Sequence, residues 1–413
     1  MATLSAQEKI SLIKQGLQEV LKENILTDVI EKEGRPLKIY WGTAPTGRPH
    51  CGYFVPMVKI AHFLQAGCEV KVLLADIHAF LDNMKAPLDL VEHRAKYYEL
   101  IVKSVLRAIG VPINKLTFVK GSDYQLKQEY TMDLFRLSSI VTEHDAKKAG
   151  AEVVKQVSSP LLSGLIYPLM QALDEQHLDV DAQFGGVDQR KIFTLAAENL
   201  PKVGFKERAH LMNPMVPGLA GGKMSASDPN SKIDLLDTPD IVKTKLKKAH
   251  CAPNEVEGNG VLSFVEYVLF PIAQLSGKST FHVPRPEKHG GPVDFASFDE
   301  LKAAYVAGDL SPPDLKAGVE LALNALLAPI QEDFAKDEEF RKIEALAYPP
   351  AVAAPKKKKE KKIGTGYVAK DKKKDAATAQ AVADGEVKPE DAVAQAVGTG
   401  AADAMAKLSM DQK

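Results

Sequence analysis

The strongest constraint on this chain is an alternation, running from 37 to 199, of short apolar stretches with longer amphipathic ones. The stretches 37–41, 69–76, 116–119 and 180–184 are rich in Val, Ile, Leu and aromatic side chains, and their length and bounding turn residues predict strands. Helical patterns fill 51–65, 88–109, 188–199 and most of 124–177; Gly67 ends the first, and Gly110 with Pro112 ends the second. Strands separated by helices imply an α/β fold with a mainly parallel sheet. Such sheets place their ligands at the carboxyl ends of the strands.

The flanking segments read differently. Ser5 and Glu8 make a capping-box pattern ahead of Ile10, Ile13, Leu17, Val20 and Leu21, which predicts an amphipathic helix over 5–23 before Gly34 and Pro36 interrupt it. After 232 the strand signal fades, and helices are predicted at 238–250, 261–275 and 312–336. Residues 351–413 hold 16 Ala and 13 Lys with almost no large apolar side chains. Such a segment cannot offset its ordering entropy by burial, so a disordered tail is expected. The expected organisation is an N-terminal helical segment (1–35), an α/β domain (36–232) with a helical insertion at about 120–165, an all-α domain (233–350) and the tail (351–413).

Composition narrows the function classes. A chain of 413 residues, 45% hydrophobic, has the material for a large core. Cys51, Cys68 and Cys251 are the only cysteines and lack CxxC spacing, which supports neither a disulfide framework nor a zinc knuckle and fits a reducing compartment. No apolar run approaches the roughly 18 residues of a membrane span. Acidic residues from Glu8 to Glu33 argue against a targeting peptide, so a cytoplasmic protein without membrane partners is expected.

Two loops carry candidate chemistry. After the first predicted strand, Gly42-Thr43-Ala44-Pro45-Thr46-Gly47-Arg48-Pro49-His50-Cys51-Gly52-Tyr53 leads into a helix. A strand that ends in a Gly/Pro loop and re-enters a helix aims backbone N–H groups and the positive helix end at one point, which suits a phosphate. A turn rich in structure breakers with a surface histidine fits equally well. The second loop, Gly221-Gly222-Lys223-Met224-Ser225-Ala226-Ser227, combines mobility, a cation and hydroxyl donors, as a segment closing on polyphosphate would; taken alone, a flexible loop with a solvated lysine also fits.

A third feature lies on a predicted helix. In Tyr167-Pro168-Leu169-Met170-Gln171-Ala172-Leu173-Asp174 the polar residues at i, i+4 and i+7 fall within about 60° of one another and span about 10 Å of helix axis. One polar stripe inside an otherwise apolar segment can therefore contact both ends of a small elongated substrate.

His50-Cys51-Gly52-Tyr53 and Lys223-Met224-Ser225-Ala226-Ser227 resemble, in order, the two signatures of the class I aminoacyl-tRNA synthetases. Tyr40 to Thr43, Ala75 to Asn83, Tyr167 to Asp174 and Gln183 to Lys191 are similar to the eukaryotic cytoplasmic tyrosyl branch of that family, and the likeness runs through about 5–350. The resemblance implies a doubly wound, Rossmann-like catalytic domain followed by a helical anticodon-binding domain. It implies activation of L-tyrosine with ATP to tyrosyl-adenylate and transfer of tyrosine to the 3′-terminal adenosine of tRNA(Tyr), with Mg²⁺ accompanying ATP and no permanently bound cofactor or protein metal site.

Residue by residue, the resemblance places Asp174 and the Tyr40 hydroxyl at the substrate phenol, and Tyr167, Gln171 and Gln189 around its amino end. A site built to hydrogen-bond a hydroxyl rejects the analogue that lacks it, a rule whose known example is the tyrosine enzyme itself. Asp188 falls at the ATP ribose and Gly42, Gly52, Gly185 and Gly186 at the ATP site, where Gly185 and Gly186 allow close backbone approach, although a plain strand-to-helix turn would also use them. Thr46 and His50 fall near the ATP phosphates, and Lys223, Met224, Ser225 and Ser227 on the pyrophosphate side. Two departures each remove a potential cation: Tyr53 stands where the first signature has histidine, and Ala226 where the second has lysine.

The family also implies a homodimer formed through 120–165, where Met132, Leu134, Phe135, Leu137, Ile140 and Val141 suit either an interface or an internal core. Lys243, Lys245, Lys247 and Lys248 fit tRNA phosphates, a solvated helix face or a nuclear-import signal that would add a nuclear pool. Ten Lys in 356–374 fit a non-specific tRNA arm or a solubilising tail. The nearest enzyme rival, a tryptophan ligase, is disfavoured by Tyr40, Gln171 and Asp174. A silent RNA-binding scaffold is disfavoured by retention of both loops.

Overall fold

The computed structural model describes residues 4–82, 86–154, 161–218, 232–278 and 280–349. The expected disordered tail lies outside these residues, as does the loop from Gly221 to Ser227.

A six-stranded sheet organises residues 1–350 as one compact unit. Its strands are β1 (Glu19–Leu21), β2 (Lys38–Thr43), β3 (Glu69–Leu74), β4 (Leu116–Lys120), β5 (Ala182–Gly186) and β6 (Ala209–Asn213), in the order β1-β6-β5-β2-β3-β4. All neighbours are parallel except β1, which runs antiparallel to β6 along one edge. From β2 the chain winds outward through β3 and β4, then returns to the other side of β2 to lay down β5 and β6. The order therefore reverses between β2 and β5, where adjacent crossovers leave on opposite faces and open a crevice at the strand ends. In register, Tyr40 sits beside Gln183 and Trp41 beside Phe184.

The period of two along β2 divides the apolar material. Ile39 and Trp41, with Val70, Val72, Leu74 and Phe184, pack into one core. Tyr40 and Leu73 face the other, which is closed by Tyr124, Tyr130, Tyr167, Leu173 and the helix Arg190–Asn199. Burial on both faces explains why these strands read as nearly continuous apolar runs. The first core continues without a break into the helices after Gly260, through Phe264, Leu315 and Phe340.

Three sequence expectations are corrected. The capping box is present, with Glu8 accepting from the Ser5 amide at 2.7 Å, but the helix is only Ala6–Lys14. Gly16 then takes a positive φ of 71°, and Glu19–Leu21, predicted as helix, pairs with β6 instead. Edge pairing supplied by a strand 190 residues away overrode the local helical period. The strand begun at Glu69 ends at Leu74, and Asp76 opens the helix Asp76–Leu81. Past 232, helices Pro239–Lys248, Pro312–Lys336 and Glu338–Ala347 are joined by a two-stranded antiparallel ladder, β7 (Phe281–Val283) with β8 (Val293–Phe295), that the apolar pattern did not announce.

One glycine marks how tightly the helical part meets the chain leading into the second signature. A Cβ on Gly260 would stand 2.6 Å from the Gly218 carbonyl oxygen and 2.7 Å from that of Pro217. Gly260→Ala should therefore cost about 1–3 kcal/mol through overpacking against backbone and lower the thermal midpoint by several degrees, as read in a calorimetric melt.

Candidate active site

The crevice at the β2/β5 reversal contains two adjoining cavities. The first, about 240 Å³, is walled by β2 and β5 and by the helix Leu162–His177. The predicted stripe faces it: Tyr167, Gln171 and Asp174 all line the cavity, together with Tyr40 and Gln189. The second, about 210 Å³, lies over His50, Gly52, Val55 and Asn213. Trp41, Phe184, Gly185 and Gly186 border both, so the two spaces communicate across the strand ends.

Asp174 closes the deep end of the first cavity and is fully buried. Its Oδ1 accepts from the Tyr124 hydroxyl at 2.8 Å, Gln125 Nε2 at 2.8 Å and the Tyr130 hydroxyl at 3.0 Å. Its Oδ2 has no hydrogen-bond partner among the described residues. Burial pushes this carboxyl up to about 7, against the pull of the three hydrogen bonds. His78 Nε2 stands 3.9 Å from Oδ2, but burial holds that imidazole down to about 4, so it is neutral and supplies no counter-charge. A buried acceptor lacking a partner is costly, and it marks where a donor is meant to arrive.

The other cavity residues are fixed by neighbours. The Tyr40 hydroxyl donates to the Gln171 main-chain oxygen at 3.2 Å, and Gln171 Nε2 donates to Gln189 Oε1 at 3.0 Å. The Tyr167 ring meets His78 edge-on with centroids 4.6 Å apart. A Cβ on Gly185 would strike Gln189 at 2.9 Å, and one on Gly186 would strike Asp188 Oδ1 at 2.5 Å. The glycine pair is thus needed first to let Asp188 and Gln189 fold back over the strand end.

At the second cavity the first-signature loop is held by hydrogen bonds and ring contacts. His50 caps the turn Cys51–Tyr53 by accepting the Gly52 amide on Nδ1 at 3.2 Å, which leaves the ring proton on Nε2 as a donor. Burial, with Lys232 nearby, pushes this imidazole down to about 4. The Cys51 amide donates to Ile233 at 2.9 Å and His50 bridges to Asp234, so the residues just after the second signature are stitched to the first. Tyr53, which replaces a histidine, donates or accepts at Thr43 Oγ1 (2.9 Å) and packs edge-on against Trp41, His50 and Tyr98. Ahead of His50, Arg94 donates to the Thr46 carbonyl at 2.9 Å, and Tyr98 and Tyr348 donate to that of Gly47 at 2.6 and 2.8 Å.

Of the predicted site residues, Tyr40, Gly42, Tyr167, Gln171, Asp174 and Gln189 line the first cavity, His50 and Gly52 the second, and Gly185 and Gly186 both. Thr46 and Asp188 line neither. Lys223, Met224, Ser225 and Ser227 lie outside the described residues. Sequence reasoning missed Gln183, His78 and the three donors to Asp174. Gln183 alone carried a signal, being a polar residue at the centre of an apolar strand.

Comparison with known proteins establishes the family. A family model described as tRNA synthetases class I (W and Y) matches residues 32–328. The chain belongs to that family. Among curated class I synthetases, it is 63% identical over 385 residues to the cytoplasmic tyrosine–tRNA ligase of Saccharomyces cerevisiae, covering 91% of this chain and 97% of that protein. It is 60% identical over 346 residues to the corresponding Danio rerio protein, covering 84% of this chain and 64% of that longer one. Crystal structures of tyrosyl-tRNA synthetase complexed with L-tyrosine from Archaeoglobus fulgidus (TM-score 0.73, 38% identity, 80% of this chain and 99% of that one) and Pyrococcus horikoshii (TM-score 0.76, 30%, 82% and 99%) share its architecture.

The neutral imidazoles give a direct check on the site. In an NMR titration, His50 and His78 should remain unprotonated down to about pH 5, whereas a free imidazole ionises near 6.5. A midpoint above 6 for either would contradict the burial described.

Proposed function

We infer that the chain is a tyrosine–tRNA ligase: it activates L-tyrosine with ATP to tyrosyl-adenylate and pyrophosphate, then transfers tyrosine to the 3′-terminal adenosine of tRNA(Tyr). The observation that carries the reading is the buried Asp174 with its unpartnered Oδ2 at the far end of a cavity that opens, at the sheet's switch point, onto the first signature.

In this reading the substrate phenol donates to Asp174 Oδ2 beside the Tyr40 hydroxyl, and Tyr167, Gln171 and Gln189 receive the amino end about two helical turns away. The substrate carboxylate then points toward the second cavity. Being already ionised, it attacks the α-phosphorus of ATP without a general base, and catalysis rests on positioning and on stabilising charge that grows on the phosphates. His50 contributes an Nε2–H donor at the phosphates, Gly42, Gly52, Gly185 and Gly186 let the nucleotide approach backbone, and Asp188 takes the ribose. Thr46 acts beside His50, and Lys223, Met224, Ser225 and Ser227 serve the leaving pyrophosphate. Mg²⁺ carried by the ATP phosphates would offset part of their charge; among the described residues no group of three or more His, Cys, Asp or Glu could hold a metal.

The remaining partners are proposals of the same kind. Leu126, Met132, Phe135 and Leu162 expose 69%, 54%, 61% and 77% of their surface in and beside the helical insertion, which fits a second copy of the chain. Lys243, Lys247 and Lys248 are exposed on one helix and suit tRNA phosphates or a nuclear-import receptor, while Lys245 is held by Asp237 at 2.5 Å. The cytoplasmic placement of the relatives is extended to this chain; no helix among the described residues is long and apolar enough to cross a membrane.

Labelled pyrophosphate should exchange into ATP in the presence of tyrosine without tRNA, with tryptophan and phenylalanine at least about 100-fold poorer. Equal support by tryptophan would refute the assignment, and Asp174→Ala should abolish the tyrosine preference. The pH dependence has a definite sign. A phenol donates to the ionised carboxyl, so tyrosine binding releases the proton that Asp174 holds below about 7. Tyrosine KM should fall by up to about tenfold per unit as pH rises toward 7 and level off above it. Asp174→Asn should flatten that curve. Phe135→Glu should convert a dimer to a monomer in sedimentation velocity.

A further inference from the structure

Three side chains that line neither cavity converge on a single atom. Tyr124 and Gln125 reach it from the turn Ser122–Gln125 after β4, and Tyr130 from the helix Gln128–Ser138. A carboxylate oxygen has two lone pairs, so the three donors at 2.8, 2.8 and 3.0 Å saturate Oδ1 and leave none to share. We propose that Tyr124, Gln125 and Tyr130 are positioning residues that commit Oδ1 of Asp174 to the protein, leave Oδ2 as the carboxylate oxygen open to a para-hydroxyl, and so set the margin by which tyrosine is preferred to phenylalanine. The proposal rests on the ligase reading and concerns residues that do not touch the substrate in it.

The surroundings explain why hydrogen bonds must do this. Around Asp174 stand Tyr40 from β2, His78 from the helix Asp76–Leu81, Tyr124, Tyr130, and Tyr167 and Glu175 from its own helix. None is a cation: His78 is neutral, burial keeps the tyrosines protonated, and Glu175 repels. The donors on Oδ1 are the favourable interactions that oppose desolvation of the carboxylate. Removing one weakens the ionised form, so the carboxyl holds its proton to higher pH and accepts less well from the phenol.

Tyr130 has a special place among them. Its hydroxyl carries one proton but faces two acceptors, Oδ1 at 3.0 Å and the Met170 carbonyl at 2.8 Å. With Asp174 ionised the proton can go to Oδ1; with Asp174 protonated it can turn to Met170 while the phenolic oxygen accepts. The ring is pinned by Tyr124 (centroids 5.7 Å) and by His177 (4.7 Å), whose Nε2 meets Asp133 at 3.0 Å. The hydroxyl therefore changes partner without the ring moving.

Tyr130→Phe and Tyr124→Phe test this, with kcat/KM in pyrophosphate exchange measured for tyrosine and phenylalanine from pH 6 to 9 alongside thermal melts. Each variant should lose about tenfold for tyrosine, nothing for phenylalanine, and carry the tyrosine inflection up by about one pH unit. Equal losses for both amino acids, or an unmoved inflection, would reduce the residues to structural support and overturn the proposal. If one variant fails to fold, the other and Gln125→Met decide by the same two readouts. Wild-type protein inert with every amino acid would instead overturn the ligase reading, a result no ratio among variants can mimic.

Discussion

The site depends on one buried carboxyl. Asp174 is taken wholly out of water, which disfavours its charge, and no cation lies against it to compensate. Hydrogen bonds are its compensation, and all of them arrive at one oxygen. The result is a carboxylate acceptor with a defined direction at the end of a cavity also lined by Tyr40, Gln171, Gln183 and Gln189. A site that identifies its ligand by one hydroxyl requires this asymmetry, because an acceptor satisfied on both oxygens would gain nothing from the correct substrate and lose nothing with the wrong one.

The sheet supplies the frame that makes such an acceptor useful. Reversal of strand order between β2 and β5 opens the crevice, and the alternation of side chains along β2 puts Tyr40 in one core and Trp41 in the other, with both bordering the first cavity. The helix Leu162–His177 contributes Tyr167, Gln171 and the fully buried Asp174 to the wall of the first cavity. The first-signature loop is tied down on both sides: His50 caps the turn Cys51–Tyr53, while Arg94, Tyr98 and Tyr348 hold its carbonyls.

Much of this was legible before any coordinates. The four predicted strands, the long helix Leu88–Ala108 and the polar stripe on Leu162–His177 follow from periodicity, because each is long or apolar enough for its own pattern to decide it. The strand Glu19–Leu21 was not legible, since three residues of edge pairing leave no period and the local pattern favoured helix. The residues that orient Asp174 were equally hidden. Tyr124, Gln125 and Tyr130 sit some 50 positions from it and look like ordinary members of a helical insertion; only packing turns their polar tips to one point.

The sequence by itself determined the α/β alternation, the family and the residue types available at the crevice, because these depend on local period and on motif spacing. Tertiary structure alone decided which oxygen of Asp174 is left open, which histidines stay neutral, and why Gly185 and Gly186 have no side chain. Those properties arise from desolvation and from contacts between residues far apart in the chain, and neither is a function of any short window of sequence.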